Sequence, residues 1–490
     1  MARVRGEDQS GFIDVLESWL AHQPWFPSHR GRRHLVRVGG LRLAAPAGDP
    51  DPHLALEMHV FEVHHPAADL EHHRERIAVP VALRSRPSTL AGKSAFIGKL
   101  SVDSGEEIWV YDGARDQAFL AALLEMVRRQ QGSRNGRSRG EAFAGFKGWP
   151  PFTAQLRRTS GEMEGRPVTR TTVTCEGADG ENDAGRVLVD LHRRPVPERD
   201  VALETAVTLT MGNATTVPPV LGVVRGAWIV SAPDQSAVES TIWESGDLAV
   251  IRGVTSDLPT GVDRAKHAMV QGESFTGPAR DMGRALGTFH ADLAGAFGAH
   301  PQTPEQLGTL ATDVGAELAR TWESVRDEVS DSERTDLDPV VEGLQSQLSQ
   351  ADEPLQLHRI HGDLGLGHTH LFESGAARWV FTEDGAMVEH APPLRDVISM
   401  LMSFAHLVLE TDQESAKEAG PPASERVNLG QWYEDVTQAF LEGYRHSEAD
   451  GSGSDSVFFR AVVLAEAMAL FNTSRDQQAF RPSMLVQARG

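Results

Sequence analysis

The chain has 490 residues, 40% of them hydrophobic, enough apolar material for a sizeable core in one two-lobed protein or in two to three domains. Its formal net charge of -22 excludes a main task on nucleic acid and an anionic membrane surface as partner, because both need a basic stripe. The single cysteine, Cys175, excludes an internal disulfide and is expected to be a small packed hydrophobe in a reduced compartment.

The opening MARVRGEDQSGF has no apolar segment of signal-peptide length, and no apolar run could span a bilayer, so a cytoplasmic protein with no membrane contact is expected. Residues 11–25 place Phe12, Val15, Leu16, Trp19 and Leu20 at helical spacing, and Pro24 and Pro27 end that helix. From 35 to about 110, alternating stretches such as HLVRVGGLRL and ALEMHVFEVHH read as strands, with AFIGKLSVDSGEEIWVYDG a hairpin. ARDQAFLAALLEMVRR is an amphipathic helix. QQGSRNGRSRGEAF, polar and rich in Gly, Ser and Arg, reads as a linker whose arginines are solvated.

A second block starts near Trp149. VTRTTVTCEG and GRVLVDLHRRP read as paired strands, ERDVALETAVTLTM as a helix, and PPVLGVVRGAWIVS with DLAVIRGVT as a further pair. From Gly261 the pattern turns helical, interrupted by a loop-and-strand insert from His358 to Gly385. DQESAKEAGPPASER and HSEADGSGSDS read as polar loops. The expected organisation is a cap subdomain (1–130), a linker (131–148), a small lobe (149–258) and a mostly helical large lobe (259–490).

The strand-strand-helix-strand-strand order of the second block resembles the small lobe of a kinase. The loop His361-Gly362-Asp363, lying after helices and before a strand at 379–381, resembles the catalytic loop of aminoglycoside-phosphotransferase-like kinases. Further stretches resemble the actinobacterial maltokinase family. They are the tryptophan-rich 19–26, Val110-Tyr111-Asp112 with Arg115-Asp116, the strand 186–194 ending Arg193-Arg194, and Glu204 on the following helix. Met282-Gly283-Arg284 with Phe289-His290, Pro393-Leu394-Arg395-Asp396-Val397, and Trp432 with Phe440, Gly443 and Tyr444 continue the likeness to the C-terminal region. The resemblance implies an α+β, protein-kinase-like two-lobed fold of maltokinase/aminoglycoside phosphotransferase type with an N-terminal cap subdomain. It also implies phosphorylation of maltose by ATP and magnesium beside trehalose synthase.

The same comparison exposes departures. The family's nucleotide lysine is replaced by Asp190, which repels phosphate and is expected to face the retained Glu204 as a like charge. Gly365 and His368 stand for a His and for the Gln that binds magnesium, although magnesium prefers oxygen ligands. Thr382 aligns with the metal Asp, and Glu383 or Asp384 could serve only in a shifted register. The phosphate-bracing segment reads Thr169-Arg170-Thr171-Thr172, where Arg170 is either an anion ligand or a solvated turn arginine.

Several roles stay open on the residues alone. Asp363, with His361 beside it, is either a base that orients a hydroxyl or a loop-capping Asp. His358, His361, His368 and His370 read as a zinc site only at loose spacing, and otherwise as a loop rich in histidine by descent, so no metal is expected. Glu383 and Asp384 form either a carboxylate pair with Asp363 or a solvated turn. Trp432 and Asp435 are either a sugar platform with a hydroxyl ligand or part of a packed helix, and Arg395 and His368 complete the candidate substrate contacts.

The expectation is a maltokinase-like pseudokinase, or an enzyme reassigned to a sugar-like or other small-molecule ligand near Asp363, with no cofactor. The alternatives are an active maltose or aminosugar kinase using ATP and magnesium through a rebuilt site, and a non-catalytic partner of a sugar-metabolising enzyme such as trehalose synthase.

Overall fold

The computed structural model describes residues 6–26, 34–64, 75–88, 91, 93–101, 106–133, 136–162, 167–174, 186–197, 201–230, 242–254, 258–372, 377–382, 387–417, 429–447 and 456–473. Cys175, Glu383, Asp384 and most of the two polar loops lie outside them. The chain divides into two compact units, Met1–Asp200 with Pro218–Ser256 and Val201–Val217 with Asp257–Gly490.

The first unit holds α1 (Phe12–Leu20), β1 (His34–Leu43), β2 (Ala55–His64), β3 (Glu75–Arg84), β4 (Phe96–Ser101), β5 (Glu107–Asp112) and α2 (Gln117–Arg128). It continues with β6 (Arg139–Ala142), β7 (Arg157–Glu162), β8 (Val168–Thr174), β9 (Arg186–Val196), β10 (Val220–Val230) and β11 (Ile242–Gly253). The strands form one sheet in the order β4-β5-β3-β2-β1-β10-β11-β9-β8-β7, with β6 also on β10.

The middle strands are covered on both sides. Met58, Val60, Ala78 and Ala82 pack against the α2 side chains Phe119, Leu120 and Leu123. Their alternating neighbours Phe61, Val63, Ile77 and Val79 pack against Phe12, Leu16 and Leu20 of α1. This is the two-residue period of a strand put to use on both faces. β4 and β5 pair as the expected hairpin.

The strands of residues 1–130 and of 149–258 lie in the same compact unit. β1 pairs with β10 through Gly39 and Trp228. Val187, Val189 and Leu191 of β9 share one core with α2. Within the expected linker, β6 pairs with β10 from Gly222↔Ala142 to Arg225↔Arg139. A four-residue strand held by backbone bonds needs little apolar side chain, which is why the segment reads as a loop. Its Arg137 is not simply solvated, because the guanidinium stacks 3.7 Å from the Trp243 ring.

Two aspartates explain the motif at 110–116. Asp112 accepts from the Ala114 N–H and takes the fully buried Arg193 guanidinium at 3.0 and 2.6 Å. Asp116 caps α2 by accepting from Ala118 and Phe119, and it also binds Arg84, whose other face holds Asp49.

The second unit holds α3 (Val201–Met211), α4 (Gly261–Gln271), α5 (Thr276–Phe297), β12 (His300–Pro301), α6 (Pro304–Val325), α7 (Asp331–Ser349) and β13 (Gln356–Ile360). It ends with β14 (Thr369–Phe372), β15 (Arg378–Phe381), β16 (Val388–Ala391), α8 (Leu394–Lys417), α9 (Leu429–Arg445) and α10 (Val457–Thr473). α8 therefore runs into the stretch that reads as a polar loop. α4, α6 and α7 open with capping boxes built on Thr260, Thr303 and Ser330. α5 and α9 touch backbone to backbone, since a Cβ on Gly283 would lie 2.0 Å from the Phe440 carbonyl and one on Gly443 would lie 2.0 Å from that of Arg280. Glycine at both positions is thus a packing requirement.

Candidate functional site

In the second unit, the loop after β13 is held by buried side chains. Gly362 adopts φ +84°, a left-handed turn that costs glycine little and lets the chain reverse before Asp363. The N–H groups of His361 and Gly362 each donate to Asp396 on the first turn of α8, both at 2.8 Å. Asp396 is fully buried and also lies 3.2 Å from His290 Nε2 on α5. With Nε2 donating there, Nδ1 accepts from the Tyr444 hydroxyl at 2.8 Å. Three helices thereby hold one loop.

Burial alone would raise the Asp396 carboxyl. The hydrogen bond from His290, the electrostatic pull of the His290 and His361 rings and the Gly362 N–H outweigh it, and the group is held below its ordinary value. His361 itself is buried; its Nε2 donates to the Thr382 carbonyl at 2.9 Å, and its Nδ1 accepts from the Asp363 N–H at 3.4 Å. Asp363 is left exposed on a fixed backbone. Such a carboxylate can orient and deprotonate a hydroxyl.

Thr382 is buried, and its hydroxyl is turned onto the His368 carbonyl at 3.4 Å, while its N–H donates to the same oxygen at 2.9 Å. The His368 ring lies 5.0 Å from that of His361. The remaining histidines are spent separately. His358 is 2.6 Å from the Arg359 carbonyl, and His370 is 3.3 Å from that of Leu258. Among the described residues, no group of three or more His, Cys, Asp or Glu is placed to hold a metal ion.

Burial and the nearby His290 push the His358 ring below its ordinary value. A histidine kept neutral by the fold contributes stability that is complete above about pH 6.5 and is lost as pH falls below it. Stability should therefore decline between pH 7 and 5, and His358→Gln should flatten that limb in urea titrations. An unchanged slope in the variant would remove His358 from the account.

Of the other expected substrate contacts, Trp432 and Asp435 lie on α9 and Arg395 on α8. Trp432 is buried in α9 against Phe275 and Phe404, with ring centroids at 6.3 and 6.5 Å. It is core, as its spacing with Val436 and Phe440 also allows. Asp435 is exposed and accepts from Gln431 at 2.9 Å, and Arg395 is exposed on the first turn of α8. The useful member of the Pro-Leu-Arg-Asp signature is Asp396, one residue further on. Its signal was an acidic residue in the first turn of a helix whose next residues, Val397, Met400 and Leu401, form an apolar stripe.

In the first unit, Asp190 on β9 is buried and receives Arg170 of β8 in a two-point bond, at 2.7 and 2.8 Å. Arg252 of β11 approaches to 3.6 Å. Arg170 is thus a strand residue opposite Asp190 and not a turn arginine. Glu204 belongs to α3 in the second unit, where its carboxylate meets Arg359 at 3.2 Å, so its charge is answered there. Arg359 also binds Glu389 at 2.9 Å.

Residues 19–116 match the family described as the maltokinase N-terminal cap domain. The chain carries a maltokinase-type N-terminal cap sequence on a kinase-like fold. Over its whole length it is similar in structure to a glucosamine kinase solved with glucosamine, ADP and inorganic phosphate. The TM-score is 0.51 at 16% identity, covering 98% of this chain and 98% of that one. A second crystal form of glucosamine kinase gives a TM-score of 0.51 at 18% identity, covering 96% of this chain and 97% of that one. The likeness is one of fold.

The Asp190 carboxylate is thus tied to Arg170, and the Thr382 hydroxyl is turned to the His368 carbonyl.

Proposed function

We propose that this protein has lost ATP- and magnesium-dependent phosphotransfer. It works as a pseudokinase, or as an enzyme reassigned to other chemistry on a sugar-like or other small hydroxyl-bearing ligand that meets Asp363. The observation that carries the reading is the Arg170–Asp190–Arg252 group. A nucleotide phosphate brought to Asp190 would meet a negative charge and would have to pull apart a largely buried ion pair, at a cost of about 3–5 kcal/mol. Thr382 supports the same reading, since a threonine carries no charge for a magnesium ion.

The exposed Asp363 on a loop braced by Asp396 supports retention of a hydroxyl-binding function. The fold likeness to glucosamine kinase supports a sugar or aminosugar as its class. That same intact loop favours the second reading, an active ATP-dependent kinase for maltose or an aminosugar.

Thermal shift with ATP and magnesium separates the two. A ligand bound at a hundred times its Kd would add about 2.7 kcal/mol to stability. We expect no shift with ATP–magnesium and no ADP release with maltose or glucosamine. Magnesium-dependent ATP turnover with either sugar would overturn the proposal in favour of the second reading.

A further inference from the structure

Asp190 does more than displace a lysine. Val187, Val189 and Leu191 point into the first unit's core, so the two-residue period sends Asp190 to the opposite face of the sheet. There it sits directly across from Arg170 on β8, while Arg252, across from Leu188, flanks it from β11. Both arginines are mostly covered, with side-chain exposures of 26% and 15%, and Asp190 is at 7%. Two guanidiniums thus converge on one carboxylate, and one of them grips it through two parallel N–H···O bonds. Guanidinium recognises carboxylate and phosphate with the same fork geometry. A group with two oxygens on one centre is what this arrangement is shaped to hold, and the chain itself supplies that group.

We infer that Asp190 is a built-in anion occupying a two-arginine site, and that neutralising it opens the site to a phosphate or diphosphate group. The inference deepens the loss of nucleotide binding proposed above and rests on that reading for the phosphate position. It predicts a change in the opposite direction from ordinary loss-of-function variants: removal of one carboxylate should create anion binding.

The experiment uses the full chain and inorganic pyrophosphate without metal, at matched ionic strength, read by thermal shift and by calorimetry. Asp190→Asn keeps the side-chain shape, and Asp190→Ala serves if the amide still fills the fork. Either variant should bind pyrophosphate at least about tenfold more tightly than the unsubstituted chain, in line with the worth of close charge pairs at desolvated sites. Adding Arg170→Gln should abolish the gain. Equal binding by the unsubstituted chain and both variants overturns the inference, and so does a gain that survives Arg170→Gln. ATP–magnesium turnover by the unsubstituted chain would sink the proposed function, whereas a missing pyrophosphate gain sinks only the built-in anion.

Discussion

Asp396→Ala should destabilise the second unit by about 3–5 kcal/mol, the range for removing one partner from a buried charged network. Asp396 accepts from two consecutive loop N–H groups and faces His290, with its side chain fully covered. Truncation leaves the His361 and Gly362 donors and the His290 ring without their acceptor, in a site too closed for water to replace it fully. Asp396→Asn keeps the volume but loses the charge, so it should recover part of the loss.

The acid response gives an independent reading. The folded-state carboxyl is held below its ordinary value. Its contribution is therefore complete above the usual carboxylate range, about pH 4, and disappears as pH falls through the lowered folded value. Urea unfolding from pH 7 to 2 should show this limb reduced in Asp396→Asn. A loss below about 1 kcal/mol in Asp396→Ala would show that the loop is held by other means.

The second large effect lies in the other unit. Asp112→Ala should cost about 3–5 kcal/mol, because the buried Arg193 keeps its charge with the Thr169 hydroxyl, at 2.7 Å, and the Trp25 ring, at 4.9 Å, as its remaining side-chain contacts among the described residues. The double variant Asp112→Leu with Arg193→Met should be less damaged than Asp112→Ala alone, since two apolar side chains need no counter-charge. The exposed pair Lys99–Glu107 is the control. Breaking it should cost no more than about 1 kcal/mol, because both ions remain in water. Equal losses at the buried and exposed pairs in equilibrium denaturation would contradict the argument.

Both predictions concern residues that the sequence displays inside recognisable motifs without showing their work. Asp112 and Asp116 look like the end of a cap, Arg193 like the end of a strand, and Asp396 like the neighbour of a candidate ligand. The spacing of Phe12, Leu16 and Leu20, or of Val397, Met400, Leu401 and Phe404, states a helix outright, because one face of a helix repeats along the chain. A buried ion pair has no such repeat. Asp112 and Arg193 stand 81 positions apart, and His361 and Asp396 stand 35 apart. Their meeting depends on which strands pair and which helices cross.

The same limit applies to the site. That Asp190 stands where the resemblance expects a cation is a reading of one residue type at one position. That Arg170 and Arg252 answer it is a consequence of sheet order, with β9 lying between β8 and β11. Likewise, Trp432 suits a sugar platform or a core stripe equally well by spacing. Only the rings of Phe275 and Phe404 against it decide for the core.

By itself, then, the sequence determined the helices and most strands, the kinase-like order of elements and the loop carrying Asp363. Each follows from local periodicity or from residue chemistry at one position. The tertiary structure alone decided that one sheet runs from the cap through the small-lobe strands, that Glu204 answers Arg359, and that Asp396 braces the catalytic-type loop. It also decided that Asp190 is neutralised from both neighbouring strands. These are pairings between segments distant along the chain. Which distant charge meets which is fixed by strand order, register and burial, and those quantities exist only once the chain has folded.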